Sequence, residues 1–133
     1  MKKLEHIGIA VNNINDANKL YEKLLDAKPY KSEIVESEGV VTSFFQSKNT
    51  KIELLQGTND NNAISKFIEK NGEGVHHIAF EVDDISDEIM RLKKLGFHII
   101  NETPKKGADN KLICFIHPKS TNGVLIELCQ TIK

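Results

Sequence analysis

The chain contains itself twice. His6-Ile7-Gly8-Ile9-Ala10-Val11-Asn12-Asn13-Ile14 is answered by His77-Ile78-Ala79-Phe80-Glu81-Val82-Asp83-Asp84-Ile85, 71 residues further on. Each copy is a histidine, an alternating strand, a two-residue polar turn and an isoleucine. Lys51-Ile52-Glu53-Leu54-Leu55-Gln56 is answered in turn by Leu125-Ile126-Glu127-Leu128-Cys129-Gln130, an offset of 74. Two matches in the same order at nearly equal offset are not an accident. Self-similarity of this kind constrains architecture more than any local propensity. A chain of 133 residues then suits one domain made of two small modules sharing a core.

Each half reads as βαβββ, an α+β pattern. Residues 4–11 alternate and are rich in β-branched side chains, which predicts a strand. Asn15-Asp16 gives a helix N-cap signal, and Ala17, Leu20, Tyr21, Leu24 and Leu25 follow at helical spacing. Strands are expected at Lys31–Glu36, Gly39–Gln46 and Lys51–Gln56. The second half predicts a strand over 75–82 and a helix over about 84–95, with Ile85, Ile89, Leu92 and Leu95 on one face and Gly96 as its stop. Strands near 97–101, 111–117 and 123–130 complete it. The modules are expected at about 1–58 and 74–133. Ala63, Ile64, Phe67 and Ile68 predict a connecting helix over about 61–71.

Composition removes several classes of function. Lys and Arg total 18 against 19 Asp and Glu, a net charge of -1 with no basic block. A general nucleic-acid or membrane-surface binder needs a basic excess that this chain lacks. No apolar run approaches the roughly 20 residues of a membrane-spanning helix. No signal-peptide apolar stretch follows Lys2-Lys3, so a cytoplasmic location is expected. Cys114 and Cys129 sit inside apolar runs and read as small core residues.

The duplication also predicts a site. Alternate residues of a strand face opposite ways, so His6, Gly8 and Ala10 share one side, and His77, Ala79 and Glu81 do the same. Small neighbours leave room beside each histidine. Glu53 and Glu127 stand mid-strand among aliphatic residues, where a carboxylate is costly to bury without a partner. A pseudo-twofold axis would bring His6, Glu53, His77 and Glu127 together. Two imidazoles and two carboxylates suit a divalent first-row cation with open positions, not a closed cysteine-rich zinc site. His76 precedes His77 and faces the other way. His117 is a candidate for substrate contact or a structural strand end. His98 is assigned no role.

At these residues the chain resembles the vicinal-oxygen-chelate superfamily, the glyoxalase and bleomycin-resistance group of tandem βαβββ proteins. Within it, nearly the whole length is similar to the methylmalonyl-CoA epimerases. The segments that carry this are Leu4 to Val11, Ile64 to Phe80 with its Gly-Glu-Gly turn before His76-His77, and Phe115-Ile116-His117-Pro118-Lys119-Ser120 running into Gly123 to Leu128. The resemblance implies a U-shaped, mostly antiparallel sheet around a metal, with His6, Glu53, His77 and Glu127 as ligands. Cobalt is the ion first expected; nickel, manganese, magnesium and zinc are the others. It implies a cytoplasmic homodimer acting on methylmalonyl-CoA, with no nucleic-acid or membrane partner. The reaction is C2 proton abstraction and reprotonation through a metal-stabilised enolate. Glu127 is the expected acid/base. The second is Glu53, or a water near Thr42, because threonine stands where family members carry a glutamate. Lys105, Lys106 and Lys119 are candidates for the CoA phosphates, with Thr42 and His117 for other substrate contacts. The rival readings are glyoxalase I (lactoylglutathione lyase), with the same ligand types, and a non-enzymatic bleomycin-resistance-type binding protein, which commonly lacks the full set.

Overall fold

Alternation of Ile and Val with small residues makes the first strand, and the same logic builds both halves. The computed structural model describes residues 2–133; Met1, where the first module was expected to begin, lies outside the described residues. By internal contacts the chain divides into two units, His6–His76 and His77–Lys133 with the segment up to Glu5.

The first half runs β1 (Lys3–Ala10), α1 (Ile14–Leu25), β2 (Lys31–Val35), β3 (Val40–Ser47), β4 (Thr50–Gly57) and α2 (Ala63–Asn71). Its strands lie in the order β2-β3-β4-β1, with β1 parallel to β4 and the other pairs antiparallel. Val11, Phe45 and Leu54 form the core here, covered by Ile14, Ala17, Tyr21 and Leu25 of α1. α2 packs on β4. The approach is close: a Cβ at Gly57 would collide with Ser65 of that helix and with Asn62, its N-cap.

The second half runs β5 (Gly74–Glu81), α3 (Ile85–Lys94), β6 (Lys105–Lys106), β7 (Lys111–Ile116) and β8 (Ile126–Thr131). The order is β5-β8-β7-β6, again with one parallel pair, β5 with β8. Ile85, Ile89 and Leu92 of α3 pack on Val82, Cys114, Ile116 and Leu128. Among the described residues no helix is long and apolar enough to cross a membrane.

Three expectations need correction. The cap of α1 is Asn13, not Asn15-Asp16: its side chain accepts the Asp16 N–H at 3.0 Å, two residues earlier than the signal suggested. The segment 97–101 is not a strand but a single bridge, Ile99 with Ile116. The Asn101 side chain replaces the ladder there, accepting the Phe115 N–H at 2.9 Å and donating to the Ile113 carbonyl at 3.2 Å. Pairing with β7 resumes only at β6. The last strand starts at Ile126, not 123. A 3-10 turn at Pro118–Ser120 holds the Gly123 N–H through the Pro118 carbonyl at 2.8 Å, and Thr121 Oγ1 donates to the Val124 carbonyl at 2.5 Å.

The repeat extends to hydrogen bonds that no alignment displays. Gln56 Oε1 accepts the Ile14 N–H at 2.7 Å, and Gln130 Oε1 accepts the Ile85 N–H at 2.8 Å. Asp84 caps α3 as Asn13 caps α1, accepting the Asp87 N–H at 3.0 Å. An N-cap is worth about 1 kcal/mol, so Asp84→Ala should lower unfolding stability by roughly 0.5–2 kcal/mol. Urea unfolding checks this, and an unchanged midpoint would show that Gln130 suffices alone.

Candidate functional site

Cross-strand register decides which side chains share a face. In the first half, Glu53 of β4 is aligned with Gly8 of β1 on one side and Phe44 of β3 on the other. In the second, Glu127 of β8 is aligned with Ala79 of β5 and Phe115 of β7. Each carboxylate therefore lies between a residue too small to crowd it and a phenylalanine. These faces are the ones turned away from α1 and α3, whose contacts fall on the alternate residues Leu54 and Leu128.

The histidines stand beside these acids with the same geometry in both halves. His6 Nε2 lies 3.3 Å from Glu53 Oε1, and His77 Nε2 lies 3.3 Å from Glu127 Oε1. All four residues are at most 5% exposed. The Phe115 ring meets the His77 ring edge-on, with centroids 6.1 Å apart. Phe44 and Phe115 recur at the same offset of 71 as the histidines.

The donor set fits a metal. Imidazole nitrogens and carboxylate oxygens bind first-row ions at about 2.0–2.2 Å, which puts neighbouring donors on an octahedron roughly 3 Å apart. The 3.3 Å spacing within each couple is close to that. Each buried couple, His6 with Glu53 and His77 with Glu127, offers one imidazole nitrogen and one carboxylate oxygen.

Other candidate residues are placed as follows. His76 packs its ring edge-on against Phe67 of α2, at 5.0 Å between centroids, while His77 is turned inward. Thr42 has no exposed surface, and its hydroxyl donates to the Glu33 carbonyl at 3.2 Å. His117 caps the 3-10 turn, its Nδ1 accepting the Lys119 N–H at 3.0 Å, and its ring stacks on His98 with centroids 5.0 Å apart. Lys105, Lys106 and Lys119 are exposed. Lys105 is aligned with Ile113 and so shares the Glu127 face; Lys106 is aligned with Leu112 and takes the other. No pattern in the sequence marks buried Lys111, which lies 2.7 Å from Thr131 Oγ1, 3.4 Å from Glu81 and 4.0 Å from Glu5.

The cysteines are free and fully buried. Burial, followed by the nearby negative charge of Glu127, pushes the Cys114 thiol up to about 12. Cys129 is raised for the same two reasons, with Glu5 adding to them. Neither is a thiolate nucleophile at neutral pH.

The model of the Glyoxalase/Bleomycin resistance protein/Dioxygenase superfamily matches residues 5–115. A mitochondrial methylmalonyl-CoA epimerase of Dictyostelium discoideum is 42% identical over 127 residues, covering 95% of this chain and 76% of the relative. The crystal structure of methylmalonyl-CoA epimerase from Mycobacterium tuberculosis superposes with a TM-score of 0.94 at 32% identity, covering 98% of this chain and 89% of that one. The chain belongs to the methylmalonyl-CoA epimerase family of that superfamily. Another solved member of this enzyme family, in complex with methylmalonyl-CoA and NH4+, superposes with a TM-score of 0.92 at 29% identity over 98% of this chain and 95% of that one. Membership makes the α+β tandem-module fold that of the superfamily.

Proposed function

We propose that the chain interconverts the R and S forms of methylmalonyl-CoA at C2. His6, Glu53, His77 and Glu127 hold one divalent cation, the two halves working as a single domain. The observation that carries this reading is the pair of buried His–Glu couples, each with its donors 3.3 Å apart. The names of the family's members and a relative's complex with methylmalonyl-CoA support this choice of substrate.

The C2 proton lies between a thioester and a carboxylate, and its removal leaves an enolate dianion. A bound cation supplies Lewis-acid charge stabilisation worth several kcal/mol for such a species. Cobalt suits the mixed nitrogen and oxygen donors. The side chains do the rest. Glu127, between Ala79 and Phe115, moves a proton to or from one face of C2. Phe115 and Phe44 keep water from the carboxylates, which strengthens every charge interaction beside them. Lys105, on the Glu127 face, is the best placed of the three lysines for a CoA phosphate, with Lys119 and His117 at the neighbouring turn.

Deuterium wash-in at C2 of methylmalonyl-CoA, before and after dialysis against a chelator, tests this reading. Exchange should fall to background without metal and return with stoichiometric cobalt, near one ion per chain. The hemithioacetal of glutathione should be left untouched. Full exchange by metal-free protein would sink the proposal.

A further inference from the structure

Inverting a carbon centre needs proton transfer on both of its faces, and Glu127 serves one. Glu53 stands 3.3 Å from His6, as Glu127 stands 3.3 Å from His77. The register of the first half shows what remains. On the Glu53 face, one row across the strands reads Lys31, Phe44, Glu53, Gly8, and the next reads Glu33, Thr42, Leu55, Ala10. Among the described residues of these four strands, Glu33 and Glu53 are the carboxylates on that face.

Glu33 is built to project from a fixed point. Its carbonyl accepts the Thr42 hydroxyl at 3.2 Å, and Ser32 Oγ donates to the Thr42 carbonyl at 3.1 Å, so two side chains pin β2 to β3 at this pair. Directly opposed residues in an antiparallel pair have Cβ atoms about 5 Å apart. The short Thr42 side chain is tied back to the backbone, which leaves Glu33 the longer side chain of this opposed pair. Lys31 Nζ, 3.3 Å from Glu33 Oε1, orients the carboxylate. The side chain keeps 31% of its surface exposed, open to a substrate and to the water that must renew its proton.

We infer that Glu33 is a catalytic acid/base for the C2 proton, a second one beside Glu127; the assignment rests on the epimerase reading above. In one direction the Glu33 carboxylate accepts the C2 proton, and the C–H bonding pair becomes the enolate. Protonated Glu127 gives its proton to C2 from the other side. Water then takes the proton from Glu33 and returns one to Glu127. The reverse reaction exchanges the two roles.

The test uses the metal-loaded protein, each pure epimer in deuterated water, and separate readouts of C2 deuterium and configuration. Glu33→Gln should slow epimerisation by about 10²–10⁴-fold, the range for a lost general acid/base. One epimer should still take up deuterium with its configuration retained. Glu127→Gln should give the mirror result with the other epimer. Glu33→Asp should recover part of the rate. Epimerisation by Glu33→Gln within about twofold of the parent would overturn the assignment, as would equal loss of exchange from both epimers with metal content unchanged. A parent protein that exchanges neither epimer would instead refute the epimerase reading, and the Glu33 assignment with it.

Discussion

Glu127→Gln is expected to lower methylmalonyl-CoA turnover by roughly 10²–10⁴-fold, the usual contribution of a general acid/base. The carboxylate is 5% exposed, and its register neighbours are Ala79 and Phe115. Neither can carry a proton in its place. The nearby thiols cannot substitute, because Cys114 is held near 12 and Cys129 is raised as well. The glutamine keeps a carbonyl oxygen facing His77, so loss of rate and loss of ion separate when metal content is measured beside turnover. Near-normal turnover with the ion retained would remove Glu127 from proton transfer and leave it only as a ligand.

Phe45→Ala is expected to destabilise the fold by about 3–5 kcal/mol, the range for truncating a buried aromatic. Phe45 has no exposed surface and packs against Tyr21 of α1, with ring centroids 6.3 Å apart. It is aligned with Ile52 on the helix-facing side of the sheet, next in sequence to Phe44 on the Glu53 side. Urea unfolding should show a lower midpoint with an unchanged slope. A loss below about 1 kcal/mol would mean that α1 closes onto the cavity, since the size of the loss depends on how far a site collapses.

Much of this was legible in the sequence because the repeat aligned histidine with histidine and acid with acid. The alternation of strand side chains then gave their faces without any coordinates. His77 was separable from His76 on that basis, and His76 does lie against Phe67. What escaped depends on bonds that residue types do not announce. An asparagine side chain can take over a backbone ladder, so the strand expected at 97–101 dissolved into one bridge at Ile99. Asn12-Asn13 and Asn15-Asp16 are both plausible caps, and only the geometry of the turn selects Asn13. Glu33 lies on the short strand expected at Lys31–Glu36, with nothing in its neighbours to mark it. Its face depends on which residue of β3 it opposes, and cross-strand register is not written in either strand alone. The charged trio of Lys111, Glu5 and Glu81 was invisible for the same reason, since its members are far apart along the chain.

The two sealed thiols make the molecule a convenient host for spectroscopic tags. Cys114 and Cys129 are its whole complement of sulfhydryls, and both are inaccessible and held in the unreactive protonated form. A cysteine introduced at an exposed position such as Lys106 or Lys119 would react alone with a maleimide dye or spin label, and no native residue would first have to be removed.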